Sequence, residues 1–532
     1  MLSAGRLRRE STCFYNKDGD SLIEKGAFFV SKDLTRRSFL KGAAAGAAGV
    51  AALGVLNLPA MAREEPAWDQ EADVVIVGSG GTGVAAAAAA AESGASALIL
   101  EKAGVAGGTT NFSGGVMQAA GTQVQKELTA YQDDTPEKHA QLWIKAGEGL
   151  VDEELVRDLA AGAPGHIEWL TGLGLKFTSV YGHCHIPYVD DSLMADRIHV
   201  YEGGGAAGQG TLLVQTVLNH ALELGAAIQY NTQVTRLIQD AQGKVTGVEA
   251  EQDGQTLRIK ANKGVVLAAA SVDHNVEMAK RLHPQQYEDL MNGVCLCAVT
   301  DTGDGIRMGM EIGADLSGMG GTIDFCGKTG AATDNRVPLF PSFIVNAAGR
   351  RFVCEDATYA YHYRAIYQQT KQLDGPTYMI FGQSSLIQGA PWTQESAAAD
   401  VEAGVLVTAG TIEELAQKLS IRPENLAATL NAWNADMANG EDTQFARRTG
   451  LAPIEGPFYA YKNVANNLGA IGGLRINVNA QVLNTQGQVI PGLYAGGLNA
   501  GGWIGPYYPG SGTAVMGAIH WGRKAGAHAA SL

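Results

Sequence analysis

The chain has 532 residues, 46 % of them apolar and 17 % charged, which is ordinary for a folded protein with more than one structural unit. It carries a net charge of −15, and the part after residue 62 is more acidic still, at −19. That balance excludes nucleic acid and anionic membrane as expected partners and leaves a cationic redox partner open.

The 69 glycines cluster at 78–83, 104–115, 203–210 and 496–512, which reads as main chain closing on a large ligand. Near the start, Thr35-Arg36-Arg37-Ser38-Phe39-Leu40-Lys41 precedes an Ala/Gly-rich run over 42–59 and then Ala60-Met61-Ala62. Twin arginines, a weakly apolar stretch and a small-x-small site predict a Tat signal peptide over 1–62. The predicted partner is then the Tat translocase, and the predicted location is periplasmic or otherwise extracytoplasmic. The run is short and glycine-rich for a membrane span. The stretch before the arginines is long for such a signal, which points to a translation start near Val30.

Ala72-Asp73-Val74-Val75-Ile76-Val77 is a β-branched apolar run of the kind buried on both faces of a parallel sheet. Gly78-Ser79-Gly80-Gly81-Thr82-Gly83 follows, then an Ala-rich helix, then a second apolar strand over 97–100 ending in Glu101. Gly78 makes the tight turn, Gly80 and Gly81 let a pyrophosphate meet the helix N-terminus, and Gly83 permits close helix–strand packing. Glu101 is placed to accept from ribose hydroxyls. Strand, glycines, helix, strand and terminal acid at this spacing make a strong dinucleotide signal.

After Glu101-Lys102 come Gly107-Gly108-Thr109-Thr110 and Ser113-Gly114-Gly115. With these motifs the chain resembles the fumarate reductase/succinate dehydrogenase flavoprotein family, including its 3-oxosteroid dehydrogenase branch. The resemblance covers residues 72–532. It implies FAD, bound non-covalently, with the second glycine-rich stretch along the pyrophosphate and flavin. It also implies a strand beside the adenine at Asn231-Thr232-Gln233-Val234, a return strand over 264–271 that includes Ala268, and a flavin-ring segment ending in Gly496-Gly497. Ser511, Thr513 and Ala514 complete the implied cofactor set.

The αβ alternation runs from 72 to about 277 and resumes near 467. The fold implied is α/β: a discontinuous Rossmann-type FAD-binding domain over 63–277 and 467–532, with an inserted α+β catalytic cap at 278–466. Within the cap, Asn346-Ala347-Ala348-Gly349-Arg350-Arg351-Phe352 leads to Cys354-Glu355 and on to Tyr359. This resembles the family's N-x-x-G-x-R-F-x-N-E, with Cys354 in place of the second asparagine. Fumarate reductases place a proton-donating arginine four residues after that glutamate, and the steroid branch places a tyrosine there, as Tyr359 does here. Tyr361 and Tyr363 compete for the same role in near register.

Tyr507-Tyr508-Pro509-Gly510-Ser511-Gly512 resembles the steroid branch's Y-P-G-x-G, in which the tyrosine hydroxyl and the last glycine's N–H hold a ketone oxygen. That makes Tyr508 and Gly512 the expected oxyanion donors. Fumarate reductases have a carboxylate-binding arginine where Tyr508 falls, and a histidine where Gly469-Ala470-Ile471-Gly472-Gly473 stands here. A dicarboxylate would lose two ligands, which disfavours fumarate.

The expected activity is that of an FAD-dependent oxidoreductase reducing, or forming, a C=C bond conjugated to a carbonyl in a bulky neutral substrate such as a 3-ketosteroid or cardenolide lactone. A membrane or periplasmic cytochrome-type electron donor is expected with it. Exported members with this tyrosine pattern are similar to cardiac-glycoside reductases, which favours reduction. The alternatives are a reductase of a small unsaturated acid of the cinnamate or urocanate type, and a non-catalytic flavin electron carrier. No metal is expected: His183-Cys184-His185 has no third ligand at a suitable spacing, and Cys295 and Cys297 read as buried free thiols rather than cluster ligands. Asp301-Thr302-Gly303-Asp304-Gly305 reads as a structural turn into a helix.

Overall fold

The Gln70–Val77 strand is sealed from water at Val74, Val75 and Ile76, so it needs neighbours on both edges and layers on both faces. In the computed structural model, which describes residues 67–182, 186–326, 340–388, 390–505 and 508–532, it has them. The expected signal over 1–62, His183-Cys184-His185 and Tyr507 lie outside the described residues. Ala97–Leu100 pairs with Gln70–Val77 in parallel on one side, and Gln255–Leu267 does so on the other. Ala227–Gln229 extends one edge, and Val489–Ala495 joins the far end of Gln255–Leu267 on the opposite side. The near end of Gln255–Leu267 leaves this layer as a hairpin with Val245–Gln252, which pairs in turn with Thr232–Gln239. A single sheet therefore draws strands from both sides of the long segment between residues 267 and 481. The α/β architecture is the one anticipated.

The helix Gly81–Glu92 covers this sheet together with the C-terminal helix Thr513–Ser531. The two pack at backbone distance because alanines meet glycines. A Cβ at Gly526 would lie 2.1 Å from the Ala86 carbonyl oxygen.

Residues 342–462 contain an antiparallel sheet of Ser342–Val345, Tyr378–Gly382, Phe458–Lys462 and Leu406–Ala409. Its side chains alternate between two cores, as the pleat requires. Phe343, Val345 and Ile380 meet Leu415, Leu426 and Trp433 on one face, while Ile344, Met379 and Phe381 meet Tyr363, Ile366 and Trp392 on the other. Arg351 pins the approach to the helix Tyr359–Leu373. Its guanidinium bonds both oxygens of Glu355 at 3.0 and 2.7 Å and both of Asp442 at 2.9 and 2.8 Å. Glu355 also accepts from the N–H of Ile344 at 3.0 Å.

A third sheet joins the two regions: Ala465–Arg475 lies between Leu316–Cys326 and Val294–Cys295. It runs through position 466, so the chain passes between the regions within a strand rather than a linker. Behind this sheet, Asn467 Nδ2 donates to Asp289 Oδ2 at 2.9 Å and to Gln286 Oε1 at 2.7 Å, and Gln285 Nε2 donates to Asp324 Oδ2 at 2.7 Å. Burial pushes Asp289 up to about 6 and holds Asp324 well above the ordinary carboxylate value, with the adjoining carboxylate adding to the latter. A raised acid stabilises the fold while protonated. That contribution is full below about 4 and is lost as pH rises through about 6. Asp289→Asn is therefore expected to raise the stability of the protein at pH 7.5 by on the order of 2 kcal/mol, with little gain at pH 4, as read by denaturant unfolding at both values. Equal or lower stability of the variant at pH 7.5 would contradict this reading of the cluster.

Candidate active site

The first strand stops at Val77 because Gly78 takes φ +97°, a conformation open to glycine. The turn then closes so tightly that a Cβ on Gly83 would lie 1.9 Å from the Gly78 carbonyl oxygen. Ser79 donates from its N–H (2.9 Å) and its hydroxyl (2.6 Å) to Glu101 Oε2, and the N–H of Ala103 donates to Oε1 at 2.7 Å. The carboxylate is thus fixed at the tip of the second strand. Gly80 caps the helix without a side-chain bond, and a Cβ there would meet nothing nearer than 3.7 Å. This leaves a backbone cradle at the positive end of a helix.

The second glycine-rich stretch docks on the first. Gly107 bridges Gly80, and Thr110 Oγ1 accepts from the N–H of Gly81 at 3.0 Å. Thr109 donates to Asp301 and accepts from the N–H of Ala298 at 2.8 Å. Lys102 is held by Thr302 and Asp304, each at 2.8 Å.

These groups open onto a cavity of about 670 Å³ whose lining also includes Tyr359 and Tyr508. Tyr359 and Tyr508 are both buried, with ring centroids 6.0 Å apart at 49°, and Phe325 meets Tyr359 edge-on at 6.4 Å. Ser511 Oγ lies 3.5 Å from the Tyr359 hydroxyl. The Tyr508 hydroxyl oxygen accepts the N–H of Ala514 at 2.8 Å, so the first turn of the C-terminal helix orients it. Gly512, the N-cap of that helix, has φ +88°. A Cβ there would lie 2.9 Å from the backbone of Met117 and Gln118.

A family model described as "FAD binding domain" matches residues 73–515. The chain belongs to that family. The digoxin reductase of Eggerthella lenta is 30 % identical over 94 % of this chain and 98 % of its own length. The urocanate reductase of the same organism is 35 % identical over 87 % of this chain and 75 % of its own length. Among solved structures, the 3-ketosteroid-Δ4-(5α)-dehydrogenase of Rhodococcus jostii RHA1, in complex with 4-androstene-3,17-dione, is 30 % identical with a TM-score of 0.75. That match covers 88 % of this chain and 99 % of the other. The flavoprotein is an FAD-dependent oxidoreductase acting on CH–CH bonds.

The cradle fits FAD. The capless glycine helix end suits a pyrophosphate, Glu101 suits the ribose, and Val234 and Ala268 line the same cavity. Of the flavoprotein's expected site residues, all but Gly83, Gly107, Gly497 and Thr513 line this cavity. Those four stand behind the wall. Gly83 packs on Gly78, Gly107 on Asn111, and Gly497 on Thr82, while Thr513 is 1 % exposed in the C-terminal helix. Tyr361 packs on Tyr188 with ring centroids 6.0 Å apart, and Tyr363 is buried in the core around Phe381 and Trp392, so neither competitor of Tyr359 reaches the cavity. The 301–305 turn does more than start a helix, because Asp301 and Asp304 both line the wall and Asp304 holds Lys102. Burial pushes Asp301 up to about 6. Leu296, Ile323, Phe325 and Leu468 also line the cavity and carried no sequence signal.

Proposed function

We propose that the protein is an exported reductase of a C=C bond conjugated to a carbonyl in a bulky neutral substrate, of the 3-ketosteroid or cardenolide-lactone kind. The observation that carries this is the charge of the cavity wall. Among the described residues its ionic groups are Glu101, Lys102, Asp301 and Asp304, with no arginine, and Lys102 is already paired with Asp304. Around Tyr359 and Tyr508 the wall includes Ile323, Phe325 and Leu468. A carboxylate buried there would lack a counter-charge, whereas a flat apolar ring system would not need one. The names of the digoxin reductase and ketosteroid dehydrogenase relatives support the same class. The 35 % identical urocanate reductase is the ground for a second reading, a small unsaturated acid. That reading needs a cation beyond Lys102.

FAD, when bound, supplies hydride chemistry at carbon. Tyr508 O–H and Gly512 N–H would hold the carbonyl oxygen and stabilise the negative charge that develops on it. Tyr359 would deliver the proton to the other carbon of the double bond, or remove it in the reverse direction. Cavity walls of apolar and aromatic side chains would keep water from that proton. The twin-arginine segment supports export, and the fumarate reductase (cytochrome) of Shewanella frigidimarina, 29 % identical, supports a cytochrome-type donor.

Reduced viologen is expected to drive turnover of 3-oxosteroid or cardenolide substrates, and NADH and NADPH are not. FAD is expected to leave the protein on acid denaturation. Cinnamate, urocanate and fumarate are run beside the neutral enones. Faster turnover of any of the acids, or rates with NADPH equal to those with viologen, would count against the proposal, and flavin that stayed attached after denaturation would refute non-covalent binding.

A further inference from the structure

Three segments meet at the mouth of the cavity. Thr109, in residues 105–116, accepts from the N–H of Ala298, in residues 291–300, at 2.8 Å. Gly205 and Gly208, in residues 203–211, donate their N–H groups to the carbonyl oxygens of Gly114 and Phe112 at 2.8 and 3.1 Å. Phe112, Ala207, Gly208 and Leu296 line the cavity and are exposed, so the cavity opens to solvent here. None of the three segments contains Asp, Glu, Lys or Arg, in a chain of which 17 % is charged.

The rim beyond the opening is apolar. Val294–Cys295 is the edge strand of its sheet, and burial alternates along it and its continuation, with Val294 51 % and Leu296 39 % exposed and Cys297 buried. Val299, next to Ala298, is 77 % exposed. Val294 and Val299 do not line the cavity, so bound FAD leaves both bare. Exposed apolar side chains with no charge among them at the opening of a cofactor cavity mark a contact surface.

We propose that this rim docks a basic, haem-carrying protein that delivers electrons to the FAD in the cavity. The inference rests on the cytochrome-type donor proposed above and gives that donor a place on the molecule. The chain, at −15 overall, draws a cationic partner from a distance, and the uncharged rim then receives the partner's apolar surface without burying an unpaired charge of its own. A small contact of this kind suits a partner that must leave after each transfer. Two donor molecules each give one electron there, each haem iron passing from ferrous to ferric, and two protons come from solvent, which completes the two-electron reduction of the bound FAD.

The test runs the transfer backwards in the FAD-loaded protein. Dithionite-reduced enzyme, freed of excess dithionite, is mixed anaerobically with basic mitochondrial ferricytochrome c, and the growth of its ferrous absorbance is followed. The second-order rate is expected to fall roughly tenfold between low and physiological salt. At low salt it is expected to fall roughly tenfold in V294K and in V299K, which set a like charge in the contact. Leu532, 69 % exposed, lies fourteen residues beyond Ala518 of the cavity wall on the C-terminal helix, about 21 Å along its axis. L532K adds the same charge at that distance and is expected to keep the wild-type rate. Benzoquinone, small and neutral, is expected to reoxidise all four proteins alike, which separates a lost contact from a damaged flavin site. Wild-type rates in V294K and V299K, or equal slowing in L532K, would overturn the docking site and leave the donor reading standing. No transfer from the reduced wild type to ferricytochrome c, with benzoquinone reoxidation intact, would overturn both. Dimerisation of the wild type that both valine variants abolish would give the rim to a second copy of this chain and overturn the docking site as well.

Discussion

Tyr359→Phe is expected to lower kcat by roughly 10²–10⁴-fold on a neutral enone, the range that a positioned proton donor contributes. The substitution removes one hydroxyl from a buried ring that meets Phe325 and Tyr508 edge-on or tilted, and leaves that packing intact. FAD content and unfolding midpoint should therefore match the wild type. The rate lost should be that of the half-reaction in which reduced flavin is reoxidised by substrate, because flavin reduction needs no proton from this side chain. Normal kcat in this variant would remove Tyr359 from the reaction. Tyr361 and Tyr363 would not inherit the role, since they face Tyr188 and the core around Phe381 and Trp392.

Tyr508→Phe is the second large effect. Removing one of two oxyanion donors is expected to cost roughly 10²–10³ in kcat. It also leaves the N–H of Ala514 without this acceptor, at about 1 kcal/mol of stability, so the variant should unfold slightly earlier while holding FAD. Tyr508→Arg separates charge from position. It supplies a cation beyond Lys102, which is paired with Asp304, and the ratio of kcat/KM for fumarate to that for a neutral enone should rise. If that ratio stays unchanged, the wall's charge is not what excludes small acids.

The cofactor half of the site was legible in the sequence because its chemistry is local. A β-branched run, glycines where backbone must turn or come close, and an acid at the next strand's tip all fall within about thirty residues. The two tyrosines are a different case. They lie 149 positions apart in sequence, and only their likeness to two family motifs linked them before the fold brought the rings together. Phe325 and Ile323 gave no signal, since their strand reads Leu-Ser-Gly-Met-Gly-Gly-Thr-Ile-Asp-Phe-Cys and its glycines hide the period-two alternation. In sequence, Asp301 and Asp304 read as purely structural because an Asp-Gly turn into a helix has an ordinary explanation. Their second role appears only when Lys102 and Thr109, about 200 residues earlier, arrive beside them. The carboxylate pair of Asp289 and Asp324 was invisible for the same reason.

In the proposed reaction a neutral conjugated enone takes its hydride equivalent at the part of the cavity lined by Tyr359, Tyr508 and Gly512. Rapid anaerobic mixing of dithionite-reduced enzyme with a 3-oxosteroid enone, a cardenolide or fumarate, following the return of flavin absorbance, tests it most directly. Fast reoxidation by at least one neutral enone, slow reoxidation by fumarate, and loss of the fast phase in both phenylalanine variants are expected. Reoxidation by fumarate alone, or a fast enone phase that survives in both variants, would contradict it.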